Sequence, residues 1–207
     1  MTGKRIKATP TKNTLLNLKR QLLFLEEGHS LLERKRELLT RLVYQRISEY
    51  HKIRDQSHTA IKRAYHWLSM LQMRMGNRAI NQTALGVEPV LDLTILPRRN
   101  LGVEFPSVTG KVKPLNPVGL LGTDPSFDET RLHFAEASLL LAKMGEVSMS
   151  LNRLIAEQRK AQKRVNALRY NIIPQYRNTI KYIKNALEEE ERNALFQVKV
   201  LREQKRI

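Results

Sequence analysis

The sequence contains no cysteine, which excludes a disulfide framework, a thiolate metal site and a cysteine nucleophile. A reducing compartment is the natural setting for such a chain. Long apolar runs are missing as well. The longest stretches free of Asp, Glu, Lys and Arg, residues 64–73 and 114–123, are ten residues long, against the roughly 20 that a membrane-spanning helix needs. Lys4, Arg5 and Lys7 are not followed by an apolar core of signal-peptide type. Aromatic residues make up 6% of the chain and are not interleaved with its basic clusters, unlike the usual nucleic-acid reader. Acidic residues are few beside basic ones, 20 against 37, for a net charge of +17. These absences lead us to expect a soluble, intracellular, strongly basic protein.

Proline and glycine are scarce outside one region. Six of the eight prolines (Pro89, Pro97, Pro106, Pro114, Pro117, Pro125) and five of the nine glycines (Gly86, Gly102, Gly110, Gly119, Gly122) fall between 86 and 125. Proline cannot continue a helix and glycine costs it about 1 kcal/mol, so this stretch is not a continuous helix. It is also electrically neutral, whereas residues 1–81 carry +11 and residues 126–207 carry +6. Residues 11–75 hold only Gly28 as an interior glycine and no proline; residues 126–207 hold only Pro174 as a proline.

Both flanks read as very long helices. In the first, Leu15, Leu18, Leu22, Leu25, Leu32 and Leu39 recur at three- and four-residue spacing on one stripe. His29 and Arg36 also fall on this seam. Thr11 or Asn13, following Pro10, is placed to cap the start. At about 1.5 Å per residue, such a helix is a rod on the order of 95 Å long. The second flank opens at Asp124-Pro125-Ser126, and its stripe includes Leu132, Ala135, Leu139, Leu154, Val165, Leu168, Ile172 and Ile183. Pro174 removes one backbone donor, so a kink or loosened turn is expected at 170–174. Neither helix is stable alone in water, and the simplest partner for each is the other.

The expected fold class is therefore all-α, a long antiparallel two-helix coiled coil with a short β-hairpin and an irregular loop at the distal tip. The expected segments are an N-terminal tail (1–10), a long helix (11–80), a middle segment (81–125) and a second long helix (126–207) kinked near Pro174. Within the middle segment, Val90, Leu91, Leu93, Ile95 and Leu96, then Leu101, Val103 and Phe105, suggest a hairpin over about 89–106. Pro97-Arg98-Arg99-Asn100 is the expected turn. Residues 107–125 read as irregular loop. The hairpin needs a surface to pack on, supplied by the helices or by another protein.

Chemistry is hard to find. No GxxxxGK[ST] or GxGxxG motif occurs. The five histidines (29, 51, 58, 66, 133) lack metal-helix spacing. Glu188–Glu191 form a run on a solvated face and not a recessed pair. The chain by itself reads as no enzyme, with no catalytic residue, cofactor or metal. The densest basic clusters are Arg34, Lys35 and Arg36 with Arg41, and Arg159, Lys160, Lys163 and Arg164 with Arg169. In an antiparallel register that sets residue 41 against about 166, they form one positive belt. Such a belt can bind phosphate backbones or an anionic membrane surface, meet acidic protein loops, or simply be solvated.

One resemblance narrows these options. The stretch Arg164-Val165-Asn166-Ala167-Leu168-Arg169-Tyr170, then Ile173-Pro174, Thr179-Ile180, Ile183, Leu187-Glu188-Glu189 and Glu191-Arg192, resembles the C-terminal signature of the D subunit of V/A-type rotary ATPases. Pro10-Thr11-Lys12, Leu15, Leu18-Lys19, Gly28, Leu31-Leu32, Lys35-Arg36 and Leu38 resemble the same family's opening helix. Arg169 departs from the family pattern, which usually has Glu there. The resemblance implies a non-catalytic central rotor shaft that couples ATP hydrolysis or synthesis to proton or sodium transport. Its partners would be a hexamer of A and B subunits around the terminal part, the small F subunit at the middle-segment end, and a funnel-shaped subunit leading to the membrane ring. Nucleic acid and direct membrane insertion have no part in this reading, and the location is cytoplasmic, peripheral to the membrane. The belt residues would then meet acidic loops of A and B, with His29, Arg36 and Arg46 fixing register in the seam.

Overall fold

A computed structural model of the chain describes residues 6–116 and 123–204. Pro117, Gly119 and Gly122 of the expected loop, the first residues of the expected tail and the last three residues lie outside the described residues. Helix α1 spans Lys12–Ala84, strand β1 Leu91–Asn100, strand β2 Val103–Val112, and helix α2 Pro125–Asn166. A π-helical turn over Ala167–Ile172 then leads into helix α3, Ile173–Gln204. The chain divides into two compact units, each described by itself below. The terminal unit comprises residues up to Leu38 and from Gln158 onward; the middle unit is Leu39–Glu157.

In the terminal unit Thr11 caps α1: its Oγ1 accepts the Thr14 N–H at 3.2 Å, satisfying one donor of the first turn. The helices run antiparallel, as three contacts show. Lys12 pairs with Glu191 at 2.8 Å, Arg177 with Glu26 at 2.6 Å, and Arg36 Nη1 donates to Gln162 Oε1 at 3.3 Å. Leu18, Ala161, Val165, Ile173 and Ile183 are buried between them. Ahead of α1 the chain turns back along α3, so that the Ile6 N–H donates to the buried Thr179 Oγ1 at 3.0 Å. Around Pro174, where the sequence places a loosened turn at 170–174, the Ile173 N–H bonds to Leu168 O. Pro174 has no N–H for the Tyr170 carbonyl, and the ladder takes up an i→i−5 turn just before it.

The register differs from the expected one, which would set Arg36 against residue 171 and not Gln162. The middle unit shows the same offset: Arg74 meets Asp124 at 3.1 Å, and Trp67 stacks on His133 with centroids 6.0 Å apart. Helix α2 thus begins beside Arg74, not beside residue 81. Just past that point Gly76, with φ of 74° and ψ of 153°, interrupts α1; only glycine adopts that conformation without strain.

The core of the middle unit contains Leu39, Ala60, Ala64, Leu71, Phe127, Ala137, Val147 and Leu154. Small side chains at Ala60, Ala64 and Ala137 make room for Ile61, Phe134 and Leu140. The hairpin adds a third layer. Strands β1 and β2 pair antiparallel from Leu91↔Val112 to Asn100↔Val103. The turn is Leu101-Gly102, with φ of 49° and 79°, not Pro97–Asn100. Pro97 and Pro106 stand opposite each other, on a rung that the register makes non-hydrogen-bonded, so their missing donors cost the ladder nothing. Residues 107–112, expected as irregular loop, continue β2 because Val108 and Val112 find partners in β1. The hairpin lies along the helices of its unit. The Val108 N–H donates to Glu146 at 2.9 Å, Arg153 donates to Glu104 O at 2.7 Å, and the Arg46 guanidinium covers the Phe105 ring at 5.7 Å.

Candidate partner-binding surfaces

The seam residues divide by depth. Leu18, Val165 and Ile183 are buried in the terminal unit and Leu39 in the middle unit; Leu15, Leu22, Leu25, Leu32, Leu168 and Ile172 are half-buried. His29 is also half-buried, with Nδ1 3.9 Å from Glu33 and a buried Nε2 that has no hydrogen-bond partner.

Of the basic clusters, Arg34, Lys35, Arg159, Lys160, Lys163, Arg164 and Arg169 are exposed in the terminal unit. Arg36 is half-buried and held by Gln162, Glu33 and Glu37. Its bond to Gln162 sets the 34–36 cluster level with 159–164. Arg169 lies over the ring of Tyr170 at 5.5 Å. Arg41, also exposed, belongs to the middle unit. The belt in the terminal unit is thus made by α1, α2 and the π-helical turn. Among the hairpin residues singled out from sequence, Val103 and Phe105 are buried against the helices, and Val90 is half-buried. Leu93, Ile95 and Leu101 are exposed, so β2 meets the core and β1 faces outward.

Two surfaces escaped the sequence reading. The first is a set of exposed leucines on α1 of the terminal unit: Leu16, Leu23, Leu31 and Leu38, 47% to 64% exposed. Each is the neighbour of a seam leucine in a Leu-Leu doublet. A helix turns about 100° per residue, so one member of a doublet enters the seam while the other stands beside it. The repeated doublets were the available signal. The end of α3 is similar, with Leu195, Phe196, Val198 and Leu201 exposed. The second surface is a groove of about 550 Å³ in the middle unit, lined by the end of α1, its connection to β1, and α2. No sequence pattern foretells it, because its wall is assembled from residues far apart in the chain, such as Leu71, Val87 and Phe127.

Among the described residues, no group of three His, Asp or Glu side chains could hold a metal ion. No described helix is long and apolar enough to cross a membrane.

Long antiparallel helical pairing, with exposed leucines and basic clusters beside a buried seam, defines a coiled-coil class of protein. Similarity to known proteins gives that class its family. The family model for the D subunit of ATP synthase matches residues 14–203. The A-type ATP synthase D subunit of Methanosphaera stadtmanae is 33% identical over 197 residues, 93% of this chain and 92% of its own. The V-type ATP synthase D subunit of Thermotoga neapolitana is 33% identical over 195 residues, 94% of this chain and 96% of its own. For the A-type ATP synthase D subunit of Pyrococcus furiosus, the identity is 33% over 198 residues, 94% and 92% of the two chains. The chain belongs to the ATP synthase D-subunit family, whose members are central-stalk subunits of A/V-type rotary ATPases.

Proposed function

We propose that this chain is the non-catalytic shaft of its complex, turned by ATP hydrolysis in a hexamer of A and B subunits, or turning it during synthesis. The carrying observation is the family match over residues 14–203. It is supported by the unlike faces of the terminal unit: exposed leucines on α1, basic clusters on α1 and α2, and the acidic run Glu188–Glu191 on α3. A shaft whose faces differ makes different contacts with each of three catalytic interfaces. Rotation then changes which interface is open, a population shift driven by differential contacts.

In this reading the hexamer surrounds the terminal unit. Arg34, Lys35, Arg36, Arg159, Lys160, Lys163, Arg164 and Arg169, with Arg41, meet acidic loops of A and B. The small F subunit and the funnel-shaped subunit bind the middle unit. The chain works peripheral to the membrane on the cytoplasmic side, without inserting into it, and the membrane ring sets whether protons or sodium are carried.

Native mass spectrometry of the complex from its own cells tests the assignment. One copy of this chain with three copies each of two larger ATP-binding subunits is expected; recovery alone or with nucleic acid would overturn it. The belt has its own test. Reversing Arg159→Glu, Lys163→Glu and Arg164→Glu together is expected to uncouple hydrolysis from rotation or to lower assembly. Unchanged turnover with unchanged assembly would leave the belt merely solvated.

A further inference from the structure

Among the described residues strand β1 has one neighbouring strand, β2. Leu91, Leu93, Ile95, Pro97 and Arg99 stand on the non-hydrogen-bonded rungs, so their N–H and C=O groups, the proline N–H excepted, point away from β2. The matching outer side of β2 is closed by α2. There the Val108 N–H donates to Glu146 at 2.9 Å, and the Glu104 carbonyl accepts from Arg153 at 2.7 Å. On β1, no hydrogen bond among the described residues reaches the outward groups of Leu93 or Ile95. Both residues are exposed, 41% and 64%.

The strand is guarded over only half its length. An open edge recruits other strands, and proteins protect such edges with proline and charge. Toward the hairpin tip β1 has Pro97, which offers no outward donor, then Arg98 and Arg99. From Leu91 to Leu96 the only charge is Asp92, and Leu93, Ile95 and Leu96 are exposed apolar side chains. Arg98 and Arg99 are themselves exposed and make no ion pair among the described residues.

We infer that the outer edge of β1 over residues 91–96 takes up an extended segment of another protein of the complex as a third strand. That segment has apolar side chains at alternate positions and an Asp or Glu toward Arg98 and Arg99. The inference rests on the central-stalk reading and deepens it by naming the backbone form and chemistry of a partner on the middle unit. The pairing groups commit the occupant to a strand. Along the edge they recur every second residue, about 6.8 Å apart, a spacing that an extended chain matches and that a helix, with its backbone groups bonded internally, does not. Leu93 and Ile95 lie on one face of the hairpin, so the added strand places its apolar residues on that face. The two unpaired guanidinium groups fix which end of it is acidic.

Hydrogen exchange at single-residue resolution, in the free chain and in the purified complex, tests this. In the free chain the outward Leu93 and Ile95 amides should exchange fast, and the Thr94 and Leu96 amides, bonded to β2, slowly. In the complex Leu93 and Ile95 should slow by about tenfold or more. Ile95→Pro removes an outward donor without touching the ladder to β2, and should return Leu93 to its free-chain rate. Ile95→Ala shortens the same side chain but keeps the donor, and should retain most of the protection. Arg98→Glu with Arg99→Glu should lose most of it. The unaltered chain and the arginine variant decide the matter even where the proline unsettles the hairpin. Unslowed Leu93 and Ile95 in an intact complex overturn the inference and leave the stalk reading standing. So do equal effects of proline and alanine, full protection in the arginine variant, or protection of the free chain that grows with its concentration, which would make a second copy the occupant. Failure of the chain to enter any such complex overturns both.

Discussion

The two units use similar helices to different ends. In the terminal unit a two-helix seam buries Leu18, Ala161, Val165, Ile173 and Ile183, while Leu16, Leu23, Leu31 and Leu38, one from each doublet, stay exposed. In the middle unit β2 adds a layer, and Val103 and Phe105 join Leu71, Phe127 and Val147 in the core. A helix pair has one stripe per helix to hide, so apolar residues beyond it wait for an outside surface. A third layer supplies that surface from within the chain. The middle unit therefore covers part of its apolar surface with its own hairpin, whereas the leucine stripe of the terminal unit has no such layer over it.

The strongest way to break this comparison is Phe105→Ala. Emptying a buried aromatic site should cost about 3–5 kcal/mol. Trp67, the single tryptophan, lies in the middle unit, so its fluorescence follows that unit in urea. Leu16→Ala or Leu23→Ala, at exposed positions, should shift stability by no more than about 0.5 kcal/mol. Equal losses from the two kinds of variant would dissolve the contrast. A smaller effect is expected from Leu16→Ser, Leu23→Ser, Leu31→Ser and Leu38→Ser combined. Entry into the complex should weaken by roughly tenfold, about 1.4 kcal/mol, while helical content in the free chain holds. Full assembly with four serines would show that this stripe needs no cover.

Much of this was legible because it follows from one-dimensional pattern. Lack of proline marked the helices, spacing marked the seam, Thr11 marked the start, and Pro174 marked the loosened turn. The basic clusters were equally plain. What was not legible depends on neighbours in space. The hairpin turn was missed because Pro97–Asn100 has turn composition, whereas Leu101 adopts a positive φ that its side chain disfavours. Gly76 was not distinguished from Gly28, which sits within α1 without a positive φ. The leucine doublets were in plain view; they were missed because a seam reading asks only which residues go in.

The Leu101 conformation sharpens the comparison from the middle unit's side. A two-residue turn with positive φ at both positions favours Asn-Gly. Leu101→Asn should thus stabilise the hairpin by about 0.5–1 kcal/mol, seen as slower hydrogen exchange of the β1 and β2 amides. The terminal unit's exchange should not change. Faster exchange in the strands would mean that the Leu101 side chain, 37% exposed, contributes packing that outweighs its backbone strain.

The smallest effects expected are those of pH: both units lose a contact in acid, and the terminal unit's contact is lost in alkali as well. In the middle unit the Ser126 hydroxyl, and next the Arg74 guanidinium, hold Asp124 below its ordinary value of 3.8. A lowered carboxylate stabilises the fold above that value, and the contribution is lost as pH falls through the folded pKa. Arginine does not titrate in the accessible range, so this contact has no alkaline limit. In the terminal unit the hydrogen bond from Lys12 lowers Glu191 from 4.5, and the same bond raises Lys12 above 10.5. That pair loses its acid half as pH falls below about 4.5 and its base half as pH rises through the elevated lysine value. Both partners are well exposed, so the change should be a loosening at the start of α1 and not an unfolding. Raising the pH through the elevated lysine value should then speed exchange of the first α1 amides, after correction for base catalysis, relative to those around Phe127. Lys12→Arg should remove that alkaline step and leave the acid one. If the step survives the arginine, the contact between Lys12 and Glu191 is not what holds that end of the helix.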